Sequence, residues 1–197
     1  MPSDPILVQV RGASGSGKST LVRRFLEGLP TQERYSDKEA WGLGHVESAA
    51  SRPFALQYGL PAGRLIVPGH YDAPGGGCDM LKKADHVFDI AETARRHGAS
   101  VLMEGLFLSK EYARLLARRS AWAQPPVVIY LDLPEAECEE SVQQRREALG
   151  RARRPLSKHS ADWREVRRAV TRLEEAGLAV ERHDRASAMS RLKELLL

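Results

Sequence analysis

One stretch constrains this chain more than any other: GASGSGKS, residues 12–19, which satisfies the pattern G-x-x-x-x-G-K-[ST] at every specified position. Its flanks agree with it. Ile6 to Val10 is a β-prone apolar run, and from Lys18 to Leu29 the residues Leu21, Val22, Phe25 and Leu26 recur at helical spacing, so the glycines join a strand to a helix. That order suits a phosphate chain. Glycines let backbone N–H groups converge on the phosphates, the helix start adds partial positive charge, Lys18 reaches the outer oxygens, and Ser19 offers a hydroxyl to Mg²⁺. The nucleotide-binding set is therefore Gly12, Ala13, Ser14, Gly15, Ser16, Gly17, Lys18, Ser19 and Thr20, with ATP and Mg²⁺ as the expected ligands. The hydroxyls of Ser14, Ser16 and Thr20 read equally well as helix caps.

The rest of the chain supplies the layers that such a loop requires. The stretch from Pro30 to Pro68 is irregular, with Trp41, Gly42 and Gly44, and holds strands at Phe54 to Tyr58 and Arg64 to Val67. Met80 to His97 places Leu81, Ala84, Val87, Phe88, Ala91 and Ala94 on one helical face, with Gly98 as the stop. SVLMEGLFL (100–108) and PVVIYLDLP (126–134) read as buried parallel strands, each followed by a helical stretch. A helix from about Ala161 to Ala176, a strand near Leu178 to Glu181 and a closing helix with Met189, Leu192 and Leu195 complete the pattern. Alternating strands and helices predict an α/β fold whose mainly parallel sheet is covered on both faces. Ligands in such sheets bind beyond the carboxyl ends of the strands, where Gly12, Asp72, Glu104 and Asp132 all fall.

Length and composition narrow the class. At 197 residues, one domain spanning residues 1–197 is expected, and no apolar run reaches the roughly 18 residues of a membrane span. The start of the chain shows no basic region before an apolar stretch, so an intracellular, cytoplasmic protein with no membrane partner is expected. Two cysteines, Cys78 and Cys138, are too few for a disulfide framework or a thiolate metal cage. The formal charge of +4 is local: Gln143 to Arg168 holds nine Lys/Arg against three Asp/Glu, or +6, leaving −2 elsewhere. Such a patch suits phosphates of a nucleotide or of a nucleic-acid backbone, and reads otherwise as a solvated arginine-rich surface.

Phosphoryl transfer needs more than a cradle. The cluster RREALGRARR (145–154) suits a lid, at about 145–158, because guanidinium groups closing over a phosphoryl in flight stabilise its spread charge and exclude water. Arg145 and Arg146 extend a helix, whereas Arg151, Arg153 and Arg154 fall in the lid itself; Lys18, Arg145, Arg146 and Arg151 are the catalytic cations expected. Glu104, a carboxylate inside an apolar strand, is costly unless a cation stands near, which makes it with Ser19 the metal-holding pair. Asp132 competes for that role but reads better as a cap before Pro134. For the acceptor hydroxyl a carboxylate is the natural base, and Asp72, between RLIVPGHY and the glycine run Gly75 to Gly77, is the candidate. Asp37 and Asp79 are its alternates, His70 and Tyr71 could line the acceptor pocket, and His183 and Asp184 fall where the adenine would lie.

Taken together, the phosphate loop, VLMEGLFL, VVIYLDLPEAECEESVQQRR and the arginine segment resemble the small P-loop kinases. That resemblance implies a three-layer sandwich on a five-stranded, mainly parallel sheet with a lid. More narrowly, GHYDAPGGGCDM followed by the Glu-Gly strand is similar to phage-associated kinases of 5-hydroxymethyluracil in DNA. This implies DNA hypermodification in a phage-infected cell, with the Asp72 to Asp79 loop facing the acceptor, Glu104 serving the metal and the basic surface holding DNA. Two alternatives stand beside it: a kinase of a free nucleoside, nucleotide or other small hydroxyl acceptor, and a nucleotide-binding regulatory module with no acceptor.

Overall fold

In the computed structural model, residues 4–47, 52–72 and 76–197 are described, and the glycine run's Gly75 lies outside them. The chain builds β1 (Leu7–Arg11), α1 (Lys18–Glu27), β2 (Thr31–Tyr35), β3 (Ala55–Leu60), β4 (Gly63–Pro68), α2 (Ala84–Arg96), β5 (Ser100–Glu104), α3 (Leu106–Lys110), α4 (Ala113–Arg118), β6 (Val127–Leu131), α5 (Glu135–Ala148), α6 (Leu156–Glu175), β7 (Val180–His183) and α7 (Arg185–Leu196). Short 3₁₀ turns occupy Cys78–Met80 and Arg119–Ala121.

All strands join one sheet in the order β2-β3-β4-β5-β1-β6-β7. Its pairings from β4 across to β7 are parallel, and β2 and β3 add two antiparallel pairings at one edge. The sheet is therefore mixed, with seven strands where five were expected. The extra strand with no sequence signal is β2, TQERY, whose polar run pairs with β3 at the edge and needs no apolar alternation to do so.

Strand alternation sends side chains to two cores. Leu7, Ile66, Val101, Met103 and Val128 pack with α2, Leu115 of α4 and Leu173 of α6, while Val8, Val10, Leu65, Leu102 and Ile129 pack with Leu21 and Phe25 of α1 and Leu192 of α7. Helices thus cover both faces, and the phosphate loop is held between two buried layers. Among the described residues no helix is long and apolar enough to cross a membrane.

Element boundaries moved where distant groups act. The run 100–108 does not stay extended, because the strand stops at Glu104 and α3 starts at Leu106, where Asp79 accepts hydrogen bonds from the Leu106 and Phe107 N–H groups at 3.0 and 3.4 Å. Helix α6 begins at Leu156 rather than near Ala161, directly after Pro155, a residue suited to a helix start. The last strand is shifted by two residues, to Val180–His183, in parallel register with Val128 to Leu131.

Candidate active site

Residues 12–17 leave β1 and turn into α1 with Gly15 at φ 87° and Gly17 at φ 97°, values that L side chains rarely adopt. Space forbids a side chain as well: a Cβ on Gly15 would lie 2.0 Å from the Cys138 carbonyl oxygen of α5. Lys18 is buried and donates from Nζ to the Gly12 and Ala13 carbonyls at 2.8 and 3.0 Å. Burial lowers its pKa, and the nearby carboxylates of Glu104 and Asp79 oppose that shift. Ser16 is buried, with its hydroxyl unpartnered among the described residues; Ser14 and Ser19 are half-buried and Thr20 is exposed. Arg11, just ahead of the loop, is fully buried and donates to Gln9 and to the backbone carbonyls of Ser109 and Glu111, tying the β1 end to the end of α3.

Glu104 closes β5 beside this lysine. Burial pushes its pKa up to about 7, against the pull of Lys18 and of the Ser19 and Tyr71 hydroxyls that approach it. Its Oε1 accepts from the Tyr71 hydroxyl at 3.1 Å, while Oε2 is buried with no hydrogen-bond partner among the described residues. A buried carboxylate oxygen left without a donor, next to a serine hydroxyl and a lysine, is a donor set that fits Mg²⁺, which takes one or two protein oxygens together with phosphates and water. Gly77, at φ 75°, lies against it: a Cβ there would meet Glu104 Oε1 at 2.2 Å. Burial, with Glu104 next, raises the Tyr71 phenol well above its ordinary range and keeps it a donor.

The residues expected on the acceptor side separate into two groups. Asp79 lies in the field of Lys18 and Glu104, but both of its oxygens are used at the start of α3. Asp72 is half-exposed, accepts from Arg34 of β2 and stands 3.6 Å from the buried His70; the Arg34 hydrogen bond holds its carboxyl below the usual range. Lys18 and Glu104 are thus together, with Ser19 and Asp79, whereas Asp72 sits on the neighbouring edge with Arg34. Asp37 accepts from the Ala40 N–H at 3.1 Å, as a turn residue does. Asp132 is held by Arg167 and Arg182 at 2.8 and 2.7 Å, which leaves it a structural anchor rather than a metal ligand.

Among the arginines, Arg145 lies in the last turn of α5, the helix whose Cys138 and Val142 lie against Gly15, and its charge adds slightly to the lowering of the Lys18 pKa. Arg146 donates to the Ala152 carbonyl, and Arg151 is exposed. Arg154 is bolted down instead: its guanidinium pairs with Asp162, which also binds Lys110, and its backbone N–H and carbonyl both bond the Gln143 amide. Asp184 caps α7 by accepting from the Ser187 N–H at 2.8 Å, and His183 contacts Glu181, so both of these residues serve local structure. Sequence reading missed Arg185, which reaches the Ser16 carbonyl at 3.0 Å from the last helix, as well as Arg34 and the Gln143–Asp162–Lys110 anchor. No local pattern points to these three, because each acts across many residues of chain.

A mixed α/β sheet whose parallel part aims a glycine loop, a lysine and a buried carboxylate at one point defines a P-loop nucleotide-binding protein. The family model described as an AAA domain matches residues 7–173, and the chain belongs to that family. It is also similar to the 5-hmdU DNA kinase of Pseudomonas phage PaMx11, at 32% identity over 192 residues, covering 96% of each chain.

Proposed function

We propose that this protein is an ATP-dependent kinase that transfers the γ-phosphoryl group to a hydroxyl, namely the 5-hydroxymethyl group of hydroxymethyluracil in DNA. The observation that carries the chemistry is the meeting of Lys18, Ser19 and Glu104, whose Oε2 has no hydrogen-bond partner among the described residues, at the mouth of the phosphate loop. The acceptor follows from the full-length likeness to the phage kinase.

The roles divide by position. The loop amides and Lys18 hold the β- and γ-phosphates, and Lys18 exchanges its bonds to the Gly12 and Ala13 carbonyls for phosphate oxygens. Ser19 and Glu104 are the residues that would hold Mg²⁺, which would neutralise charge on the phosphates. Arg145, Arg146 and Arg151 of the lid, residues 145–158, stabilise the moving phosphoryl group and keep water from it. Asp72, the accessible carboxylate, orients the acceptor hydroxyl; its depressed pKa keeps it ionised, so it accepts a hydrogen bond throughout. The whole chain acts as one kinase unit in the cytoplasm of a phage-infected cell, and the arginine-rich surface beside the lid takes the DNA backbone.

The test is incubation with γ-labelled ATP, Mg²⁺ and three acceptors: duplex DNA with hydroxymethyluracil, the same DNA with thymine, and free hydroxymethyldeoxyuridine. Label is expected in the first alone, falling steeply as salt rises because backbone contacts release counterions. Brisk labelling of the free nucleoside with none in DNA would replace the DNA acceptor by a small one. Slow hydrolysis indifferent to every acceptor would replace the kinase by a regulatory module.

A further inference from the structure

Arg185 is the first residue of α7, and its place is fixed from two sides. Asp184 caps the helix through the Ser187 N–H, and Ala188, Leu192 and Leu196 are buried in the core shared with α1. From there the side chain crosses to the phosphate loop. Nε donates to the Ser16 carbonyl at 3.0 Å and Nη2 to the Gly15 carbonyl at 3.4 Å. A Cβ on Gly17 would lie 3.0 Å from that Nε, so the guanidinium lies directly over the Gly17 backbone.

A trans peptide unit is planar, with its carbonyl and its N–H on opposite sides. Drawing the Ser16 oxygen outward onto Arg185 therefore turns the Gly17 N–H to the opposite side, away from the guanidinium. Two cations share the loop: Lys18 holds the carbonyls of Gly12 and Ala13, and Arg185 holds those of Gly15 and Ser16. Their fates differ when phosphates enter. Lys18 must release its carbonyls to meet the ligand, whereas Arg185 has no need to move.

We infer that Arg185 is a positioning residue for the nucleotide: it holds the 16–17 peptide so that the Gly17 N–H faces the phosphate chain after Lys18 has let go. This rests on the reading of residues 12–19 as the ATP cradle. The family match ends at residue 173, so Arg185 belongs to a part of the chain outside it.

The experiment measures the dissociation constant of Mg·ATP and the separate KM and kcat values for the wild type, Arg185→Ala, Arg185→Lys and Asp184→Ala. Arg185→Ala is expected to weaken ATP binding about tenfold, the cost of losing a charge-assisted hydrogen bond. Acceptor KM, and kcat at saturating ATP, should stay within about twofold. Arg185→Lys keeps the charge but loses the fork, and should recover only part of the affinity, whereas millimolar methylguanidinium added to Arg185→Ala should recover more. Asp184→Ala loosens the helix cap but keeps the guanidinium, so it should lower the melting temperature and affect ATP less than Arg185→Ala does. Unchanged ATP affinity in Arg185→Ala, or equal effects of Arg185→Ala and Asp184→Ala on ATP, would overturn the inference alone. A wild type that fails to bind ATP would overturn the cradle reading with it.

Discussion

Replacing Glu104 by Gln should make the metal-free protein more stable while abolishing its chemistry. The side chain is 1% exposed, and burial lifts its pKa from 4.5 to about 7. A shift of roughly 2.5 units is equivalent to about 3 kcal/mol. The sign follows from which state binds the proton more tightly. A raised folded-state pKa means that the carboxyl costs nothing below pH 4.5, where it is protonated in both states, and that its cost grows as pH rises until it is complete above about 7. Gln is close in shape, keeps an acceptor for the Tyr71 hydroxyl and carries no charge. The attraction of Lys18 is already contained in that raised pKa, so about 3 kcal/mol at pH 8 is expected, or about 6–12 °C in melting temperature. The assay is thermal denaturation in EDTA at pH 5 and pH 8 with phosphoryl transfer measured in parallel. Near-equal melting at pH 5, a clear gain for Glu104→Gln at pH 8 and loss of transfer are expected together. A variant equal to or less stable than wild type at pH 8 would refute the argument that this carboxylate is an undercompensated charge kept for a ligand.

Asp72→Asn should lower transfer by roughly 10²- to 10⁴-fold with ATP affinity retained, measured by steady-state kinetics and nucleotide titration; unchanged turnover would remove Asp72 from the reaction. Gly77→Ala puts a methyl group 2.2 Å from Glu104 Oε1 at φ 75°, so a loss of about 2 kcal/mol or more is expected in denaturant unfolding, and transfer should fall with it. Asp162→Asn removes the ion-pair partner of Arg154 and leaves Lys110 with Glu165 alone, and should cost about 1–3 kcal/mol at neutral pH. Burial by itself would raise the Asp162 pKa, but the hydrogen bonds from Lys110 and Arg154 hold it below 3.8. Its stabilisation is therefore present above pH 3.8, and the gap between wild type and variant should close as acid takes the pH below that value.

The nucleotide half of the site was written locally. Gly12 to Ser19 make a cradle through their own backbone, and Glu104 betrayed itself as a charge inside an apolar run. The proposed acceptor half was not, because it depends on contacts between distant segments. Asp79 and Asp72 look equivalent in sequence, yet the first is spent on the start of α3 and the second stands half-exposed against Arg34. Arg34 itself rides on β2, an edge strand too polar to announce itself. Arg154, which reads as one more lid residue, is the fixed foot of that segment because Asp162 and Gln143 lie a helix turn or a neighbouring helix away. Local chemistry is legible in a chain, whereas the choice among similar side chains is made by packing partners.

The arrangement of β7 and α7 bears on where this protein can be cut. The family match stops at residue 173, but β7 pairs with β6 through four registered residues, and α7 buries Ala188, Leu192 and Leu196 over the face that carries Val8, Val10 and Leu131. A polypeptide trimmed to the matched span would bare both an unpaired sheet border and a greasy strip beneath the missing helix, two features that promote clumping. Shortened versions meant for expression should therefore run through Leu196.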